Sequence, residues 1–185
     1  HAAGATLGPA SLSVLAEGGG FHVKAAGLAQ APGRFAAKTN ANFPGNPARH
    51  GLPTIQGVIV LCDSENGRLL AVMDSIEITI LRTAAATAVA ARHLARPDSA
   101  VATLCGCGAQ AAAQMRALAR VLPLKHVHAF DSDLARAETL VAALARDPGL
   151  KGEVVSDFGS ALRRSDIIVT CTTSKLPFLR PNDVQ

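Results

Sequence analysis

The stretch with the clearest chemistry runs CGCGAQAAAQM, residues 105–115. Within it, Gly106-Cys107-Gly108-Ala109-Gln110-Ala111 spells G-x-G-x-x-A, after the strand-like AVATLC and at the opening of an alanine-rich helical run. That context is the one in which such a turn holds a dinucleotide. Gly106 permits the tight bend, Gly108 lets the backbone approach a pyrophosphate, and Ala111 keeps helix and strand close. The free N–H groups and positive dipole end of the helix favour phosphate. An acid, Asp131, follows the next strand in HVHAFDSD. A carboxylate there accepts hydrogen bonds from both ribose hydroxyls and repels a 2′-phosphate, so NAD is expected over NADP. The plainer role for Asp131 or Asp133 is a helix N-cap, and the two roles can coexist at neighbouring residues. Thr172, in TCTTS beyond the fourth strand, stands where open α/β sheets bind ligands; a plain polar loop is the alternative.

The same stretch contains a C-x-C pair, Cys105 and Cys107. A structural zinc needs about four ligands at accepted spacings, and no second Cys or His cluster accompanies the pair. His126 and His128 alternate onto one face of a core sheet, so no metal is expected. With Cys62 and Cys171, the cysteines fall in or beside apolar segments. Buried free thiols of a reducing compartment, and so a cytoplasmic protein, are the expectation.

The elements that must position these residues follow from pattern. FHVKAAG and RFAAK read as short strands, and NANFPGNPARHGLP as a long turn-rich loop. GVIVLCD and RLLAVMD flank Asn66-Gly67 and predict a β-hairpin. DSIEITILRTAAATAVAARHLARP predicts a long helix with Asp74 and Glu77 as a capping box and Pro97 at its far end. From residue 100 onward strands and helices alternate. Helices are expected over 109–121, with Met115, Leu118, Ala119 and Leu122 inward, and over 133–146, with Leu134, Ala137, Val141 and Leu144 inward. Strands are expected at HVHAF, GEVV and DIIVTC and a short helix at FGSALRR, a succession that makes right-handed βαβ units and a parallel sheet. The predicted class is α/β, with a Rossmann-type parallel-sheet domain over 97–185 after a strand-rich part with a linking helix over 1–96.

Composition excludes other classes. The 185 residues include no Trp or Tyr and six Phe, too few aromatic faces to stack single-stranded nucleic acid. The net charge of +4 is a modest solvated excess without a dense basic run. No apolar run approaches the roughly 18 residues of a membrane span, and HAAGATLGPA lacks the layout of a signal peptide.

Several stretches together resemble the ornithine cyclodeaminase/μ-crystallin family: FAAKTNANFPGNP, GLPTIQGVIVLCD, GRLLAVMDSIEITILRTAAATAVAARHLARP and CGCGAQ. The resemblance implies an NAD-dependent enzyme moving a hydride at the α-carbon of an amino or imino acid, as a cyclodeaminase, an imino-acid reductase or an amino-acid dehydrogenase, and a homodimer. It implies a substrate-contacting lysine at Lys38, and an arginine near the substrate carboxylate and the nicotinamide at Arg82. It implies dinucleotide contacts at Thr54, Ala109, Gln110, Asp131 and Thr172, and a looser match for a first basic substrate contact at Lys24. Arg grips a carboxylate through two parallel hydrogen bonds, and a lysine near Cα stabilises negative charge or relays a proton. The resemblance also implies that 1–96 is part of an α+β dimerisation and substrate domain, and that the Rossmann domain is cut short at its carboxyl end. A family aspartate in a DAPGK-like segment is expected beyond Gln185, where this chain ends, so a fragment or truncated member is expected. The alternative of another class is a non-catalytic, ligand-binding protein of the crystallin type.

Overall fold

The computed structural model describes residues 6–174 and 176–183. The chain divides into two compact units, His1–Thr79 and Ile80–Gln185.

The first unit is an antiparallel meander. Strands β1 (Thr6–Ala16), β2 (Gly19–Leu28), β3 (Arg34–Asn42), β4 (Ile55–Asp63) and β5 (Leu69–Asp74) pair in chain order. The hairpin expected around Asn66-Gly67 forms, with Gly67 at φ 76°, a value that glycine adopts without steric cost. FHVKAAG and RFAAK belong to β2 and β3, which are longer than their apolar cores suggested. β1, for which the sequence offered no expectation, is exposed along its whole length. The turn-rich stretch after β3 is not all loop, since Asn46–His50 forms a short helix, α1, with Pro47 in its first turn and Gly51 closing it in the left-handed conformation. Both placements are ones these residues favour.

Helix α2, Ile76–Leu94, begins in the first unit. The expected capping box takes another form: the Asp74 carboxylate accepts the Ile76 N–H at 2.6 Å, and Ser75 is buried and donates its hydroxyl to Asn40 Oδ1 at 2.7 Å. The helix start is therefore tied to β3 by a buried side-chain bond, as well as by the Ser75 N–H donating to the Gly57 carbonyl.

The second unit holds, after most of α2, the alternating strands and helices expected from residue 100 onward. Its strands β6 (Val101–Cys105), β7 (His126–Phe130), β8 (Lys151–Val154) and β9 (Ile167–Thr170) are parallel in the order β8-β7-β6-β9. Helices α3 (Ala111–Ala119) and α4 (Leu134–Leu144) join the first three strands, and α5 (Phe158–Arg163) leads into β9. Leu104, Met115, Leu118, Val127 and Leu144 are fully buried in one core cluster. Both long helices are shorter than their periodicity suggested. Ala119 is exposed where Gln114 is buried, and Leu134 is exposed where Leu140 is buried. The rest of each expected stripe is inward: Met115, Leu118 and Leu122 beside α3, and Ala137 and Leu144 on α4, are buried.

The opposite face of the sheet holds a polar network under α5. Thr103 Oγ1 lies 2.7 Å from Ser165 Oγ and 3.3 Å from His128 Nδ1, and His128 Nε2 lies 3.2 Å from Glu153. Burial pushes His128 below its usual pKa, against the opposing pull of Glu153. His128 is thus a satisfied core histidine, whereas His126 at the strand start is exposed.

Asp166 fastens the amino edge of this sheet. It accepts the N–H groups of Ala100 and Val101 at 2.8 and 3.0 Å and pairs with Arg96. These bonds hold its pKa below the carboxylate norm, the Ala100 bond most of all. A depressed folded pKa stabilises above the unfolded value and is lost as pH falls through the folded one. Asp166→Asn is expected to lower stability at neutral pH by about 1–3 kcal/mol. The gap from wild type should close as pH drops below about 3.9; denaturant melts at several pH values read both.

Candidate functional site

The glycine turn leaves β6 at its carboxyl end. Gly106 sits at φ 91°, and a Cβ there would lie 2.6 Å from the Cys171 carbonyl oxygen and 2.9 Å from the Thr172 nitrogen. Only glycine fits between β6 and the segment after β9. The Gly106 N–H donates to Phe130 O at 2.9 Å and the Cys171 N–H to Cys105 O at 2.7 Å. The turn is thereby strapped to the ends of β7 and β9. A Cβ on Gly108, in contrast, would meet nothing within 4 Å: its outer side is open.

The N-terminus of α3 is not satisfied by the protein. Gln110 at the N-cap makes no side-chain cap bond. Among the described residues, no acceptor takes the N–H groups of Ala109, Gln110, Ala112 or Ala113. Unpaired donors, a positive dipole end and an open glycine form a cradle for linked phosphates, so the residues present fit a dinucleotide.

Asp131 joins this cradle. Its carboxylate accepts the Cys107 N–H at 2.7 Å and the Asp133 N–H at 2.9 Å. The N-cap of α4 is Asp133, which accepts the Ala135 N–H at 3.2 Å and pairs with Arg136. The two acids that shared one expectation thus divide the roles, and Asp131 stays at the turn. Thr172 lies exposed beside Gly106, its hydroxyl accepting the Ser174 N–H at 3.1 Å. The structure brings together Gly106, Gly108, Ala109, Gln110, Asp131 and Thr172 at the carboxyl edge of the parallel sheet.

Three thiols line the same bend. Burial, with Cys107 and Cys171 nearby, pushes Cys105 up to about 12. Burial, then Asp131 and Cys171, does the same to Cys107, and burial raises Cys171. A cleft of about 500 Å³ between Arg116, Lys125 and Gly149 lies at the opposite, amino edge of the strands and shares none of these residues.

The first unit carries its own polar surface. Antiparallel register places Lys24 directly opposite Lys38, and Lys38 opposite Ile59. Directly opposed side chains share a face, and here it is the face against which the start of α2 packs: Lys38 Nζ donates to Thr79 Oγ1 at 3.4 Å. Lys38 is half-buried and Lys24 exposed. Thr54 precedes β4, its carbonyl accepting the Phe43 N–H at 2.8 Å. Arg82, on α2 in the second unit, is exposed and makes no hydrogen bond or ion pair among the described residues. Thr79, and the Asn40–Ser75 bond beside it, escaped sequence reasoning. The pairing of the lysines follows from the register Leu28↔Arg34, which a count from Pro32-Gly33 would have missed, and nothing local marks Thr79.

A meander followed by a four-stranded parallel sheet with a phosphate-type turn defines a dinucleotide-binding class of two-unit protein. The model of the ornithine cyclodeaminase/mu-crystallin family matches residues 14–185, and the chain belongs to that family. Among solved structures, the Δ1-pyrroline-2-carboxylate reductase of Thermococcus litoralis in complex with NADH and L-proline is similar with a TM-score of 0.92 and 28% identity, over 98% of this chain and 56% of that one. An archaeal alanine dehydrogenase dimer with bound NAD is similar with a TM-score of 0.87 and 35% identity, over 98% and 54% of the two chains. The L-lysine cyclodeaminase of Streptomyces rapamycinicus is 39% identical over 141 residues, 76% of this chain and 40% of its own. The chain therefore spans about half the length of the relatives it matches.

Proposed function

We propose that the protein containing this chain is an NAD-dependent enzyme that acts at the α-carbon of an amino or imino acid. The observation that carries the reading is the glycine turn: unpaired N–H groups at the start of α3, an open Gly108 and Asp131 bonded across the bend. Relatives that are reductases, dehydrogenases and cyclodeaminases support it. NAD supplies hydride acceptance and return at its nicotinamide. The protein's residues do the rest. Gly106, Gly108, Ala109 and Gln110 hold the phosphates, and Asp131 takes the ribose hydroxyls. Thr54 and Thr172 line the remainder of the cofactor. Lys38 contacts the substrate and holds or moves a proton at its nitrogen, oriented by Thr79. Arg82 grips the α-carboxylate, which accounts for an exposed arginine with no partner among the described residues. Lys24 adds a second cation. The protein acts as a homodimer; the exposed apolar side chains of β1, Leu12, Val14 and Leu15 among them, and the dimeric alanine dehydrogenase support that assembly.

Ornithine cyclodeamination is the preferred chemistry within this class, with imino-acid reduction and amino-acid oxidation beside it. Product analysis on the full-length protein separates them. With NAD and ornithine, proline and ammonia without NADH accumulation is the expected result. NADH consumed with cyclic imino acids means a reductase instead, and net NADH formed from an amino acid a dehydrogenase. Dinucleotide binding with no turnover of any of these would overturn the enzymatic reading in favour of a ligand-binding protein.

A further inference from the structure

We propose that the cleft at the amino edge of the parallel sheet is a second anion site, which takes a small phosphate ester with an apolar body. It lies within the second unit, shares no residue with the dinucleotide turn, and stands whether or not that turn holds NAD.

The cleft has a volume of about 500 Å³, within the range of small-molecule sites. Its apolar part is Pro123 and Pro148, both exposed, over the buried Leu124 and Leu150. Its rim carries three cations, Arg116, Arg120 and Lys125, against one acid, Asp147. Arg116 and Arg120 lie four residues apart at the end of α3, which makes them neighbours on one face. Arg116 and Asp147 answer each other: Nε donates to the carboxylate at 2.9 Å, and the guanidinium also donates to the Ala143 carbonyl at 3.3 Å. The side chains of Arg120 and Lys125 are exposed and make no hydrogen bond or ion pair among the described residues. Two cations are left unanswered beside an apolar wall.

The backbone that presents them is fixed. Lys125 donates its N–H to the Ala100 carbonyl at 2.8 Å, and its own carbonyl accepts the Lys151 N–H at 2.8 Å, so it is tied at the entries of β6 and β8. On the other wall, the Asp147 N–H donates to Leu144 O at 2.9 Å and the Leu150 N–H to Asp147 O at 3.2 Å. These bonds close the turn in which Gly149 takes φ 83°.

Charge selects the ligand. A phosphate ester carries about −1.5 to −2 at neutral pH, which matches the two unanswered cations, whereas a single carboxylate leaves one of them unpaired. The planar fork of Arg120 suits two oxygens of one phosphoryl group, and Lys125 adds a point charge. The prolines give the body of the ester an apolar surface to cover.

Calorimetry on the full-length protein tests this with three probes: phenyl phosphate, inorganic phosphate and benzoate. Phenyl phosphate is expected to bind at least tenfold more tightly than either of the others, because inorganic phosphate lacks the apolar body and benzoate the second charge. Arg120→Gln and Lys125→Gln should each weaken phenyl phosphate at least tenfold while leaving NADH affinity within about twofold of wild type. Both side chains are exposed and unbonded, so both variants should melt with wild type. Gly108→Ala, whose methyl fills the turn, should leave phenyl phosphate unchanged. Phenyl phosphate that binds no tighter than either other probe, or that neither Arg120→Gln nor Lys125→Gln weakens, overturns the inference. So does a loss in Gly108→Ala, which would put the phosphate in the dinucleotide turn. A wild type that takes phenyl phosphate in this pattern but no NADH would remove the enzymatic reading and leave this site standing.

Discussion

Gly106→Ala is expected to abolish dinucleotide binding and to destabilise the second unit. The added methyl would meet three backbone atoms, the carbonyl oxygen and carbon of Cys171 and the nitrogen of Thr172, all within 2.9 Å. None is the flexible end of a side chain. A positive φ costs a non-glycine residue about 1–2 kcal/mol, and overpacking adds about 1–3 kcal/mol. The bend must open away from β9, carrying the α3 donors with it. NADH fluorescence titration and thermal melts read the two effects. Gly108→Ala is the informative partner, because its methyl meets nothing in the protein. Its melt should match wild type while its affinity for NADH falls, since the space it fills is the phosphate's. Normal affinity in both variants would mean that phosphates bind elsewhere.

Asp131→Arg is expected to reverse the preference between NAD and NADP by about two orders of magnitude, the scale of a charge-paired phosphate replacing a repelled one. The structure adds a cost that the sequence did not show. Asp131 also receives the Cys107 N–H, and leaving that donor unpaired costs about 1–3 kcal/mol. Affinity for both cofactors should therefore fall before any preference shows. The ratio of the two dissociation constants, and not either alone, is the measurement. Asp131→Asn keeps an acceptor for the Cys107 N–H while losing the charge, so it should hold the turn yet discriminate less. A ratio unchanged in both variants would place the ribose away from Asp131.

The parallel domain was legible because its signals are local and periodic. A glycine turn between an apolar strand and an alanine helix, and an acid after the next strand, depend on neighbours in sequence. Helix ends were less legible: Ala119 is the last residue of α3 and Leu134 the first of α4, and both are exposed while the expected residues between the ends are inward. The meander was only half visible. β2 and β3 run beyond the FHVKAAG and RFAAK stretches read as strands, and Lys38 and Asn40 bond to Thr79 and Ser75 at the start of α2. β1 carries no buried residue and so no burial pattern to read. Thr79 and Ser75 acquire meaning only from β3, which lies about 35–40 residues earlier, as the separations of their bonds show. The lysines were named from family resemblance, and pairing in the sheet is what puts them side by side.

The sulfur atoms around the bend have a practical consequence. Burial pushes Cys105 and Cys107 well above the usual thiol range, which keeps them protonated, and it is the ionised form that attacks peroxides, alkylating agents and disulfides. Cys105 and Cys107 therefore serve as small apolar fillers, and the cofactor turn can hold sulfur without offering oxidants a handle.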